Sequence, residues 1–130
     1  MTDRELFIQA QDAMQYAYAP YSRYSVGAAV LTGTGEIFRG ANIENASYGA
    51  TLCAERVAIS SAVFAGHKDD LIAIAICASS GEAVYPCGIC RQFLFEFGAD
   101  IRVITGKTVE ALEIFPISEL LPNGFRLENK

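Results

Sequence analysis

The sequence predicts an α/β layer sandwich, and three observations carry that reading. Apolar residues at helical spacing alternate along the chain with short β-rich runs, and one run, Leu71 to Ala78, is apolar throughout. The order of elements is helix, two strands, helix, strand, helix, strand. A chain of 130 residues has the length of one ordinary domain and buries roughly two-thirds of its unfolded surface, so it needs no metal merely to fold. No repeat, linker or low-complexity segment divides it, and one domain over residues 1–130 is the simplest organisation.

From Glu5 to Tyr18 the residues Leu6, Phe7, Ala10, Met14 and Ala17 recur at intervals of three and four, which predicts an amphipathic helix that Pro20 cannot continue. Val26 to Leu31 and Glu36 to Arg39, joined through Gly33-Thr34-Gly35, read as a β-hairpin. Gly40 to Thr51, rich in Asn, Ser and Gly, reads as an ordered loop. Helical spacing returns from Cys53 to Ala65, with Gly66 as its C-terminal cap. The Leu71 to Ala78 run suits a strand buried on both faces. After Pro86, Cys87 to Phe97 predicts a third helix ending at Gly98, followed by a strand at Ile101 to Ile104. Val109 to Phe115 reads as a weaker strand, and Ile117 to Leu121 as a short helix stopped by Pro122.

Hydrophobic residues make up 52% of the chain and charged residues 19%, an apolar share that predicts surface buried against other copies of the same chain. Ten basic and 15 acidic residues leave a net charge of −5, and no basic block could follow a phosphate backbone, so a polynucleotide partner is not expected. The first residues are polar and acidic, and no apolar run approaches the roughly 20 residues of a membrane span. A soluble, cytoplasmic protein is expected.

Four cysteines are present, and their neighbours decide their use. Cys87 and Cys90 form a C-x-x-C at one predicted helix start, and Cys53 stands at another. A helix N-terminus lowers a thiol's pKa, and zinc binds thiolates, so the two starts can aim three ligands at one ion. Three protein ligands leave a tetrahedral position open, as in catalytic zinc sites, whereas structural sites close with four. Cys77 and His67 are the candidates for a fourth. Cys77 ends an apolar strand and suits core packing, while His67 follows Gly66 and precedes Lys68-Asp69-Asp70, which suits a solvated turn.

Glu55 lies two residues after Cys53 and can sit over the open position as a proton carrier. An acidic residue in a first turn also complements the helix dipole, so Glu55 alone decides little. Arg56 follows it. Three thiolates and one divalent ion sum to −1, and a guanidinium donating hydrogen bonds to the sulfurs would offset that excess; an ordinary surface arginine is the alternative.

With Cys53-Ala-Glu55 and Pro86-Cys-Gly-Ile-Cys90 the chain resembles the cytidine deaminases of the small class with three cysteine ligands. Tyr21-Ser-Arg-Tyr-Ser-Val-Gly-Ala-Ala29, Gly40-Ala-Asn-Ile-Glu-Asn-Ala-Ser-Tyr48, Thr51-Leu-Cys-Ala-Glu-Arg56 and Leu120-Leu-Pro122 extend the likeness over nearly the full length. The resemblance implies a three-layer α-β-α sandwich with a mixed central sheet. It implies one zinc ion per chain on Cys53, Cys87 and Cys90, and hydrolysis of cytidine and deoxycytidine to the uridine forms with release of ammonia. Activated water attacks C4 of the pyrimidine in that chemistry, and Glu55 carries the proton to N3 and then toward the leaving amine.

The resemblance further implies that Asn42 and Glu44 hold a sugar hydroxyl, although both are also common turn-forming residues. Tyr24, where the family usually has Phe, packs on the pyrimidine ring, and Ala54 belongs with the substrate-binding set. Tyr48 and Phe125 match positions at subunit boundaries that often complete a neighbour's pocket in a homotetramer. Three rivals differ in substrate or class: a deaminase of a nucleoside analogue such as blasticidin S, a polynucleotide-editing deaminase, and a non-catalytic zinc module closed by Cys77. A redox C-x-x-C would leave Cys53-Ala-Glu55 without a role.

Overall fold

In the computed structural model, which describes residues 1–127, all five strands join one mixed sheet in the order β2-β1-β3-β4-β5. The strands are β1 (Val26–Thr32), β2 (Ile37–Ala41), β3 (Leu71–Ala78), β4 (Arg102–Gly106) and β5 (Leu112–Pro116). The helices are α1 (Asp3–Ala13), α2 (Ala54–Phe64), α3 (Gly88–Phe95) and α4 (Ile117–Leu120). Only β3 and β4 pair in parallel; every other neighbouring pair is antiparallel.

The two faces of the sheet are built differently, and side-chain size explains how the helices lie on them. Ala29, Ala73, Ala75, Cys77 and Ile104 face α1, which buries Leu6, Phe7 and Ala10 against them. Larger groups, among them Val30, Ile74, Ile76 and Val103, face the other way under Ala58, Ile59 and Ala62 of α2 and Leu94 of α3. Because β3 is covered on both sides, its run is apolar without alternation. The result is the expected three-layer sandwich with a mixed central sheet.

Several boundaries move, each for a tertiary or local reason. The first helix starts at Asp3, because Thr2 caps it and Glu5 answers in a reciprocal capping box. It ends at Ala13 in a 3-10 turn over Met14–Tyr16 rather than running to Tyr18, since the Tyr18 N–H donates to Asn42 and its carbonyl accepts from Glu44. Strand β2 continues to Ala41, where Gly40 and Ala41 pair with Ala28 and Gly27. The last strand starts only at Leu112, after a turn closed by the Ala111 N–H on Thr108. Its terminal Pro116 is tolerated on an edge strand.

Gly40 sets how closely β2 approaches the start of α2. A Cβ there would sit 2.5 Å from the Ala58 nitrogen and 2.6 Å from the Ala54 oxygen, both backbone atoms that cannot turn aside. Gly40→Ala is therefore expected to lower stability by about 1–3 kcal/mol and the melting temperature by several degrees. An unchanged melting curve would show that this contact does not control the packing.

Candidate active site

Cys53 and Cys87 are the N-cap residues of α2 and α3, and neither side chain caps its helix with a hydrogen bond. Sulfur therefore stands where Ser, Thr or Asp usually satisfies the first N–H groups, and the positive ends of both helices favour thiolates there. Cys90 lies within α3 one turn on, fully buried. The three Sγ atoms all lie within 4.8 Å of one another, with Cys53 and Cys87 3.8 Å apart. Cys77 is not among them: it packs on the α1 side of the sheet with Phe7 and Ala10.

The electrostatics of the three sulfurs favour a cation among them. A hydrogen bond from Cys90 holds the Cys53 thiol down at about 5, with Arg56 and Cys87 acting the same way against burial. The same bond, then burial and the nearby Glu55 charge, push Cys90 up. One negative charge is shared among sulfurs in contact, and further thiolates would repel it. A divalent ion would remove the conflict, and three thiolates within reach of one point are a ligand set that suits zinc.

Glu55, in the first turn of α2, is 4% exposed. Burial raises its carboxyl to about 7, and the neighbouring Cys53 charge adds to the rise. Arg56 donates through Nη2 to the Cys53 sulfur at 3.6 Å and to the Thr51 carbonyl at 3.3 Å, the position the charge sum assigns it.

A cavity of about 290 Å³ opens above this group, close to the lower end of the roughly 300–1,000 Å³ usual for small-molecule sites. Cys53, Ala54, Glu55 and Cys87 line it together with Tyr24, Asn42 and Glu44. Asn42 is buried and doubly clasped: Oδ1 accepts the Val26 N–H at 2.9 Å and Nδ2 donates to the Tyr24 carbonyl at 2.8 Å. Tyr24, 39% exposed as a residue, lines the same cavity.

Tyr48 and Phe125 stand apart from this cavity. Tyr48 is 81% exposed and meets Tyr21 edge to face, while Phe125 is 66% exposed and is held through its carbonyl by Gln92. His67 sits on a turn as expected, but its ring is not solvated: it lies against Phe38, 3.1 Å from Asp70 and 3.5 Å from Glu36.

The structure adds residues that spacing did not single out. Ser22, Val84 and Tyr85 line the cavity, and the Tyr85 hydroxyl donates to Glu113 at 2.6 Å, tying the loop before Cys87 to β5. Arg91 holds the Pro86 carbonyl at 2.7 Å and the Leu120 carbonyl at 2.8 Å. Its place next to Cys90 was the one available signal.

Residues 1–107 match the family described as the cytidine and deoxycytidylate deaminase zinc-binding region. The cytidine deaminase of Halalkalibacterium halodurans is 46% identical over 129 residues, spanning 98% of this chain and 97% of the relative. A probable cytidine deaminase of Dictyostelium discoideum is 42% identical over 92% of this chain and 81% of its own length. The crystal structure of cytidine deaminase from Burkholderia pseudomallei superposes with a TM-score of 0.91 at 40% identity, covering 96% of this chain and all of that one. Three sulfurs at two helix starts, a buried carboxyl beside them and a likeness spanning both chains agree: this chain belongs to the zinc-dependent cytidine deaminase family.

Proposed function

We propose that the chain hydrolyses the C4 amino group of cytidine and deoxycytidine, giving the uridine forms and ammonia. One observation carries this reading: Glu55 and two of the three clustered cysteines, Cys53 and Cys87, line a nucleoside-sized cavity together with Tyr24, Asn42 and Glu44. Zinc held by Cys53, Cys87 and Cys90 would supply a Lewis acid that lowers the pKa of a bound water.

The chain's own groups supply the rest. Glu55, buried beside Cys53, takes one proton from the attacking water and gives it to N3, then takes the second from the hydroxyl now on C4 and gives it to the amino group, which leaves as ammonia as the C4 carbonyl forms. Arg56 withdraws charge from Cys53 through its hydrogen bond. Ala54 lines the cavity with a side chain too small to intrude on the ring, and Tyr24 offers a face for the pyrimidine. Asn42 keeps one N–H beyond its two internal bonds, and Glu44 keeps an acceptor, so together they can donate to and accept from a sugar hydroxyl.

Purified protein should consume cytidine in an ultraviolet assay and lose that activity on chelation. Blasticidin S lacks the ribose hydroxyls that Asn42 and Glu44 would meet, and should react far more slowly. Faster turnover of blasticidin S would overturn the substrate assignment; activity surviving complete zinc removal would overturn the mechanism.

Homotetramer formation is part of the same proposal. Phe64 is 95% exposed, Tyr48 81%, Phe125 66% and Ile89 64%, more large apolar surface than a monomer usually leaves in water. Tyr48 and Phe125, outside the chain's own cavity, would then reach a neighbour's. Sedimentation at four chain masses is expected, and a monomer at working concentration would refute the assembly. None of the four cysteines is in a disulfide, which suits the reducing cytoplasm and a role in reusing free pyrimidine nucleosides.

A further inference from the structure

Glu44 is caged by a segment 22 residues before it. Its Oε1 accepts the N–H groups of Tyr21 at 2.9 Å and Ser22 at 3.2 Å, which fills that oxygen. Its Oε2 accepts the Ser22 hydroxyl and keeps one acceptor position. The Ser22 oxygen in turn accepts the Tyr24 N–H at 3.0 Å. A hydroxyl has one proton, and with Tyr24 donating into Ser22 Oγ that proton is directed at Glu44. These bonds, the Ser22 hydroxyl foremost, hold the Glu44 carboxyl below the usual carboxylate range and so keep it an acceptor.

The chain of contacts does not stop at Glu44. Tyr24, which receives nothing from Ser22 but gives its N–H, is held at its carbonyl by Asn42. One hydroxyl therefore links the carboxylate, the aromatic wall and the buried amide. The backbone between them is constrained as well: Arg23 adopts φ +58°, a left-handed conformation rarely found outside Gly, Asn and Asp, which places Ser22 and Tyr24 on the same cavity.

We propose that Ser22 is a positioning residue for substrate, orienting Glu44 so that the remaining Oε2 acceptor meets a sugar hydroxyl. This rests on the reading of Glu44 as the sugar-hydroxyl acceptor. Removing the Ser22 hydroxyl leaves Oε1 anchored but frees Oε2 to accept water from more than one direction. The Tyr24 carbonyl stays held by Asn42, so the loss falls chiefly on substrates that carry the sugar hydroxyl.

The test compares cytidine with 2′,3′-dideoxycytidine, measuring kcat and KM for the wild-type holoenzyme and for Ser22→Ala, Ser22→Thr and Glu44→Gln. Ser22→Ala is expected to raise KM for cytidine about tenfold with a much smaller change in kcat, and to leave KM for the dideoxy substrate nearly unchanged. Ser22→Thr, which keeps the donor, should restore most of the cytidine KM. An equal rise in KM for both substrates, or no rise for either, would overturn the role of Ser22. If Glu44→Gln separates the two substrates and Ser22→Ala does not, the Ser22 proposal alone fails. If Glu44→Gln does not separate them, the reading of Glu44 fails and takes this one with it. Should Ser22→Ala not fold, Ser22→Cys, with its weaker donor, provides the same comparison.

Discussion

Glu55→Gln is expected to lower kcat for cytidine by about 10²–10⁴ while leaving zinc content and the melting curve close to wild type. Glutamine matches the size of glutamate and keeps an oxygen at the same place, so the buried start of α2 should still form. What it cannot do is take up a proton and release it. The carboxyl is nearly inaccessible and lies with Cys53 and Cys87 on the cavity wall, so no bulk water can easily substitute for it. A charge that merely complements the α2 dipole would be worth about 0.3–1 kcal/mol of stability and nothing in turnover. A kcat within tenfold of wild type, measured on zinc-loaded protein, would remove Glu55 from the mechanism.

The second large effect is expected at Cys90. Cys90→Ala deletes a fully buried thiol of the cluster proposed to hold zinc, and zinc affinity should fall by more than the roughly 10–100-fold that loss of a supporting group costs. Activity should disappear with the metal. Cys77→Ala is the internal control: its side chain packs under α1, and its loss should cost about 1 kcal/mol of stability with zinc retained. Zinc measured by elemental analysis after dialysis decides between them. Loss of metal from Cys77→Ala with retention in Cys90→Ala would mean a closed structural site with a different ligand set.

How far each residue was legible depends on how local its signal is. Cys87 and Cys90 declare themselves by a three-residue spacing at a helix start, and the structure keeps both on the first turn of α3 or its cap. The central strand was equally plain, because burial on both faces leaves a run of eight residues almost no polar choice. The end of α1 was not legible. Its apolar spacing continues past Ala13, but the pairing of Tyr18 with Asn42 and Glu44 competes with the next helical turn and prevails. The extension of β2 was hidden in a similar way: Gly40 reads as a loop residue, yet it is glycine because α2 passes within a few ångströms of it.

His67 illustrates the same limit for a single side chain. Its neighbours Lys68, Asp69 and Asp70 suggest solvent, whereas Phe38 and Glu36, about 30 residues earlier, arrive from the hairpin to cover the ring. Ser22 is a second case. Nothing periodic connects position 22 with position 44, and the hydroxyl acquires its partner only when the loop closes.

The sequence by itself determined the layer architecture, the three thiols suited to hold a metal ion and the presence of an acid beside them. Those follow from residue type at short range: sulfur at helix starts, a carboxyl in the first turn, an apolar strand. Only the tertiary structure decided that Cys53 meets two cysteines more than 30 residues away, that Cys77 turns to the opposite face, and that Ser22 and Tyr24 frame Glu44 and Asn42. Spacing along the chain constrains what a residue can touch within a turn or a hairpin, whereas convergence across the fold is set by packing against a sheet whose two faces accept different helices.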